Sequence, residues 1–242
     1  MAVYQDKAKE RISRGLRKFR GIVDRARAAN ANESDTRMIV SSVIADLLGW
    51  DPFTNLTGEY RIKGTYADFC LKNDGEYLAV IEVKAIGTKL STKHVYQAVT
   101  YAANEGIDWV ILTNGDDWNL YRVVFGKPIT QDIVFEVSLS DDEMKPKAKS
   151  DLLYLLSAEA QRKNELQGYY DKKAALCGFS VAKVLLGVPM LTKLRSEMRS
   201  STGYRLGLDE LATILVEDVF RPEVQGGETA RLIKKAAAAK NG

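Results

Sequence analysis

Four residues of this 242-residue chain have the types and spacing for hydrolytic chemistry: Glu33, Asp68, Glu82 and Lys84. Glu82 and Lys84 lie two apart in the run YLAVIEVK, so on a β-strand both project from one face. The turn signal Asn73-Asp74-Gly75-Glu76 ahead of that run folds the segment before it back as an antiparallel neighbour. If Lys72 faces Leu78, then Cys70 faces Val80 and Asp68 faces Glu82, with Cβ atoms about 4.5–5.5 Å apart. Carboxylates that close repel unless protonated or bridged by a cation. Hard divalent ions such as Mg²⁺ accept one or two such ligands, with a substrate phosphate among the remaining oxygens. A lysine alongside can position or deprotonate a water and offset charge on a phosphate under attack. A plain salt bridge between Lys84 and the two acids uses the same residues. The position at the end of an apolar strand, where an ionic cluster is costly, favours chemistry.

The elements that must hold these groups can be read from periodicity. Ile12, Leu16, Phe19 and Val23 form a helical stripe over 5–29, and Ile39, Val43 and Leu47 form another over 33–48, closed by Gly49. Glu33 opens that second helix, where the macrodipole alone would also favour an acid. Strands are expected at 59–63, 66–71, 77–84, 108–112 and 118–124, with an edge strand at 132–137. A helix over 91–104 carries Gln97 and Tyr101 at i and i+4, sharing a face with His94. Tyr101 also suits simple core packing. Beyond the polar stretch DDEMKPKAKSD the strand signals stop. Helices follow at about 150–165, 168–178, 189–199 and 209–219, with Leu185, Leu186, Val188, Leu191, Leu194, Leu208, Leu211, Ile214, Leu215 and Val219 as packing positions. The closing AAAAKNG is expected to fray.

Composition narrows the chemistry further. Hydrophobic residues are 45% and charged residues 28%, a globular balance that excludes wholesale disorder. No run approaches the roughly 18 apolar residues of a membrane span, and the charged N-terminus lacks the apolar core of a secretory leader. Cys70 and Cys177 are the two cysteines, which fits a reducing cytoplasm and no cysteine-based zinc site. His94 is the single histidine, so mechanisms that need two are excluded. Net charge is +6 over 1–30, −6 over 31–140 and +3 over 141–242. Basic flanks around an acidic middle suit a metal site between phosphate-binding arms. Solvated basic helices give the same pattern.

The ordered set Glu33…Asp68…Glu82-Val83-Lys84…Gln97-x-x-x-Tyr101 resembles the PD-(D/E)XK nuclease superfamily, and more narrowly the N-terminal nuclease domain of type I restriction enzyme R subunits. DLLGW at 46–50 and LTNGDDWNLY at 112–121 add to the likeness, which covers roughly residues 30–125. Ala67-Asp68 stands where the family has Pro-Asp, a departure that removes no ligand, and no helicase segment follows. The resemblance implies an α/β fold with a restriction-endonuclease-like mixed sheet flanked by helices: a basic helix at 1–30, a nuclease core at 31–140 and an α-helical region at 141–242. It implies Asp68 and Glu82 as metal ligands with Glu33 as a further acidic ligand, Lys84 as the catalytic lysine, and Gln97 and Tyr101 bracing the site or contacting DNA. The expected activity is a cytoplasmic, Mg²⁺-dependent DNA endonuclease, with Mn²⁺ able to substitute, of a restriction, defence or phage system. A nuclease-fold module that binds nucleic acid or assembles without cutting is the alternative. A homodimer through the C-terminal helices is a further expectation.

Overall fold

A computed structural model describes residues 2–62, 65–224 and 227–238. The chain divides into two compact units, 1–167 and 168–242. The first is mixed α/β. Helix α1 (Ala2–Ala28) and α2 (Glu33–Ser42, continued by one π turn to Leu47) precede a hairpin pair, β1 (Leu56–Ile62), β2 (Thr65–Asn73) and β3 (Glu76–Val83). Helix α3 (Thr92–Asn104) crosses over to β4 (Trp109–Thr113), which meets β3 in parallel. Strands β5 (Asp117–Val124) and β6 (Thr130–Ser138) complete a six-stranded sheet in chain order. The expected mixed sheet with one crossover helix is what the chain forms.

Strand β3 is buried on both faces from Ala79 to Val83, as expected of a central strand. One face meets α3 through Cys70, Val80, Val95, Ala98, Val99, Tyr101, Ala102 and Leu112. Helix α1 buries Ala8, Ile12, Phe19 and Val23, and packs beside α4 (Pro146–Leu155) and α5 (Ala158–Gln161). The polar stretch before residue 146 is therefore a connection inside the first unit, which extends through α5. Gly49 closes the second helix at φ +75, and a Cβ there would stand 2.5 Å from the Arg11 guanidinium. The missing side chain lets Arg11 reach the Leu47 carbonyl at 3.1 Å and both Glu159 oxygens at 2.6 and 2.8 Å.

Five cations of the basic N-terminus already face acids of their own unit. Lys9, Arg11, Lys18, Arg20 and Arg27 pair with Asp151, Glu159, Asp46, Asp142 and Asp116, all within the first unit. Their charge is taken up by the unit's own acids. Among the described residues no helix is long and apolar enough to cross a membrane.

The second unit holds α6 from Gly168 on (Glu165–Ala175), α7 (Gly178–Leu185), α8 (Val188–Thr202), α9 (Leu208–Ile214, then a π turn to Val219) and α10 (Gly227–Ala238). Leu186, Leu191, Leu208, Leu211, Ala212, Val216 and Ala236 form its core. Ile214 and Val219 are exposed instead, since the buried stripe runs Leu208, Leu211, Ala212 and Val216 with Leu215 packed beside it. Helix α7 is a separate helix, since Cys177 caps it through Ser180. The last lysines and alanines through Ala238 are helical, with Ala236 in the core, whereas residues 239–242 of the expected frayed end lie outside the described residues.

Candidate active site

The turn at Asp74-Gly75 has φ +51 and +88, the left-handed pair that a two-residue hairpin loop demands. From it Asn73 pairs with Glu76 and Lys72 with Tyr77. The ladder then shifts by one: Leu71 pairs with Ala79, Cys70 with Val80 and Phe69 with Ile81. Leu78 is thus an extra residue, a β-bulge, and Lys72 does not face it. The register beyond the bulge is the expected one as far as Phe69 and Ile81, the residues adjoining Asp68 and Glu82.

Asp68 Oδ2 accepts the Val83 backbone N–H at 2.8 Å. Lys84 Nζ donates to Glu82 Oε1 at 2.6 Å and stands 3.7 Å from Glu33 Oε2. Four of the six residues expected at the site therefore come together. Arg37 joins them, with Nε 3.5 Å from Asp68 Oδ1 and a terminal nitrogen 3.9 Å from Glu33 Oε1. Sequence reasoning missed Arg37. The signal is its i, i+4 relation to Glu33, which puts both on one helical face.

Helix α2 is held over the end of β3 by specific bonds. Asn32 caps it, its side chain accepting the Asp35 N–H at 3.0 Å. Buried Thr36 donates to the Asn32 carbonyl at 2.8 Å and accepts the Ile86 N–H at 3.1 Å. Below, the Lys84 N–H donates to the Thr113 carbonyl at 2.8 Å, and Asn114 Nδ2 donates to the Thr88 carbonyl at 3.0 Å. The TNGDD turn thereby supports the segment that leaves the site.

Burial pushes the Asp68 carboxyl above the ordinary carboxylate range, although the Val83 N–H and Arg37 pull it back. Burial also raises Glu82, against the hydrogen bond from Lys84. For Lys84 burial acts downward, yet the Glu82 contact and the surrounding acids leave it above the usual lysine value. Lys84 is a held cation. The side chains of Asp68 and Glu82 are 13% and 8% exposed, so their negative charge is concentrated where water screens it least.

That donor set fits a hard divalent cation that takes two protein carboxylates and fills its shell with water and substrate oxygens. Among the described residues no three histidine, cysteine or carboxylate side chains are grouped to hold a metal. Glu33, 42% exposed, faces the two cations Lys84 and Arg37.

Gln97 and Tyr101 sit differently. Tyr101 is 3% exposed in the apolar layer under α3, its hydroxyl against the Cys70 thiol, which burial pushes up to about 11. Its reach is to β2, two residues from Asp68. Gln97 lies exposed one turn earlier. His94 is half-buried on the first turn of α3, its Nδ1 without a hydrogen-bond partner among the described residues.

A mixed sheet with an acid–acid–lysine cluster at the end of its central hairpin agrees with the fold that the likeness to type I restriction enzyme R subunits implies. Residues 54–134, about a third of the chain, match the family described as Type I restriction enzyme R protein N terminus. The matched segment contains Asp68, Glu82, Lys84, Gln97 and Tyr101 and leaves out Glu33 and Arg37 on α2. No curated protein and no solved structure matches the chain.

Proposed function

We propose that the first unit is a metal-dependent DNA endonuclease of a restriction or defence system, with Mg²⁺ as its ion and Mn²⁺ as a substitute. The convergence of Asp68, Glu82 and Lys84 on one face of one hairpin supports this reading above all. Such a trio is costly for a sheet to bury unless the charges have work to do. When bound, the cation supplies charge neutralisation at the scissile phosphate and a water acidic enough to attack it. Asp68 and Glu82 would hold that cation through their carboxylate oxygens. The Val83 N–H fixes the Asp68 carboxylate, and Arg37 restrains its other oxygen. Lys84 keeps its proton and gives a charge-assisted hydrogen bond to a phosphate oxygen or to the attacking water. Glu33 helps keep Lys84 charged and in place.

The test is cleavage of plasmid, linear, branched and single-stranded DNA in Mg²⁺, in Mn²⁺ and in EDTA, with wild type beside Asp68→Asn and Lys84→Met. Cutting by the wild type alone, and only with metal, is the expected result. Equal cutting by either folded variant, or by wild type in EDTA, overturns the assignment.

A further inference from the structure

Beside Asp68 a groove of about 310 Å³ opens along the outer face of α2. Ser34, Arg37, Met38 and Ser41 line its helical side at i, i+3, i+4 and i+7, and Phe69 with Gly58 lines the sheet side. Asp68 belongs to both the groove and the charged cluster, so the two are continuous. Met38 is 72% exposed although it is a large apolar side chain.

We infer that this groove is a subsite for one unpaired nucleotide flanking the scissile phosphate. This inference rests on the endonuclease reading and adds a substrate class to it: DNA with a single-stranded extension or branch. The volume is at the lower end of small-ligand sites and suits one nucleotide, not a duplex. Its chemistry is divided as a nucleotide is divided. Met38 and the Phe69 ring offer apolar surface to a base face, two serine hydroxyls offer hydrogen bonds to base or sugar edges, and Arg37 stands at the inner end where the phosphate must lie. A base still paired in a duplex cannot put its face against Met38. Gly58 keeps the β1 side open. A Cβ built there meets only the Phe69 ring, at 3.9 Å, so the backbone tolerates a side chain that would then fill the groove.

The experiment measures binding of the full chain in Ca²⁺ by fluorescence anisotropy. The probes are a blunt duplex, the same duplex with a short single-stranded extension, and that extension with its bases removed. The wild type should prefer the extension about tenfold over the blunt end, the order of one stacked base, and lose that preference when the bases are absent. Met38→Ala, a surface truncation, and Gly58→Val, which fills the groove, should each bring the preference to within about twofold. A wild type that binds all three probes equally, or variants that keep the preference, overturns the subsite while metal-dependent cleavage by the same preparation leaves the endonuclease reading intact. A wild type that neither binds nor cuts any DNA overturns both.

Discussion

Thr36 Oγ1 accepts the Ile86 backbone N–H at 3.1 Å and donates to the Asn32 carbonyl at 2.8 Å, so one buried hydroxyl joins the first turn of α2 to the chain leaving β3. Glu33 and Arg37 flank it in sequence and reach Lys84 and Asp68 only because that turn is fixed. Thr36→Val keeps the shape and removes both bonds. It should destabilise the fold by about 1–3 kcal/mol, the cost of a buried donor left without a partner. Cleavage measured well below the melting temperature should fall as well. A stability loss with full activity would mean that α2 finds its place without Thr36.

The acids of the site should cost the fold stability. Burial raises both Asp68 and Glu82 above ordinary carboxylates, repulsion from Glu33 adds to each, and repulsion from Asp68 adds to Glu82. Glu82→Gln removes a charge while keeping shape, so in EDTA its melting temperature should rise by about 2–4 °C, the equivalent of ~1 kcal/mol in a chain of this size. Cleavage should be lost in the same variant. Calorimetric unfolding beside a plasmid assay checks both, and a drop in melting temperature would show that Glu82 is structural.

Acid should unfold the first unit through Asp116. Burial alone would raise that carboxyl, but Ser140, through hydroxyl and backbone N–H, and Arg27 bring it below its ordinary value. A carboxyl depressed in the folded state contributes stability that is present above its unfolded pKa and lost as pH falls through the folded one. The melting temperature should therefore hold steady from about pH 7 to pH 5 and drop below about pH 4. Asp116→Asn should lower the plateau and flatten the drop. An unchanged acid limb would transfer the effect to other carboxylates.

Salt dependence of DNA binding should be insensitive to the N-terminal cations. Each neutralised phosphate on duplex DNA adds about −0.9 to the slope of log affinity against log salt. Because Lys18 and Arg20 already pair with Asp46 and Asp142, Lys18→Ala and Arg20→Ala should leave that slope unchanged. Removing residues 1–28 should unfold the unit, since Ile12, Phe19 and Val23 are buried. A flatter slope in either point variant would return α1 to the DNA interface.

Strands and helices were legible where apolar spacing had one solution, as at α1 and β3. The charged cluster was legible in part, because Glu82 and Lys84 share a strand and their relation is local. Charge counting left a phosphate arm and a solvated helix both open at the N-terminus, because the acids that pair with Arg20 and Arg11 lie 122 and 148 residues away. A lone arginine on a helix reads as a solvated face, so Arg37 stayed hidden until the sheet brought Asp68 beneath it. The bulge at Leu78 leaves no trace in the pattern, since a strand apolar on both faces does not declare which face is which.

That bulge has a genetic consequence. From the Asp74-Gly75 turn, an unbroken ladder would set Asp68 against Ile81 and send the two acids to opposite faces; the one added residue returns them to the same side. Substituting Leu78 by another apolar residue keeps that count and should be tolerated. Losing its single codon removes the bulge and leaves an unbroken ladder in which Leu71 still meets Ala79, Cys70 meets Val80 and Phe69 meets Ile81, so both acids keep one side. Among in-frame lesions of this chain, a one-residue deletion at Leu78 should therefore spare the carboxylate pair. Deleting two neighbouring residues of β3 would set Asp68 against Val83, part the acids and resemble a missing carboxylate.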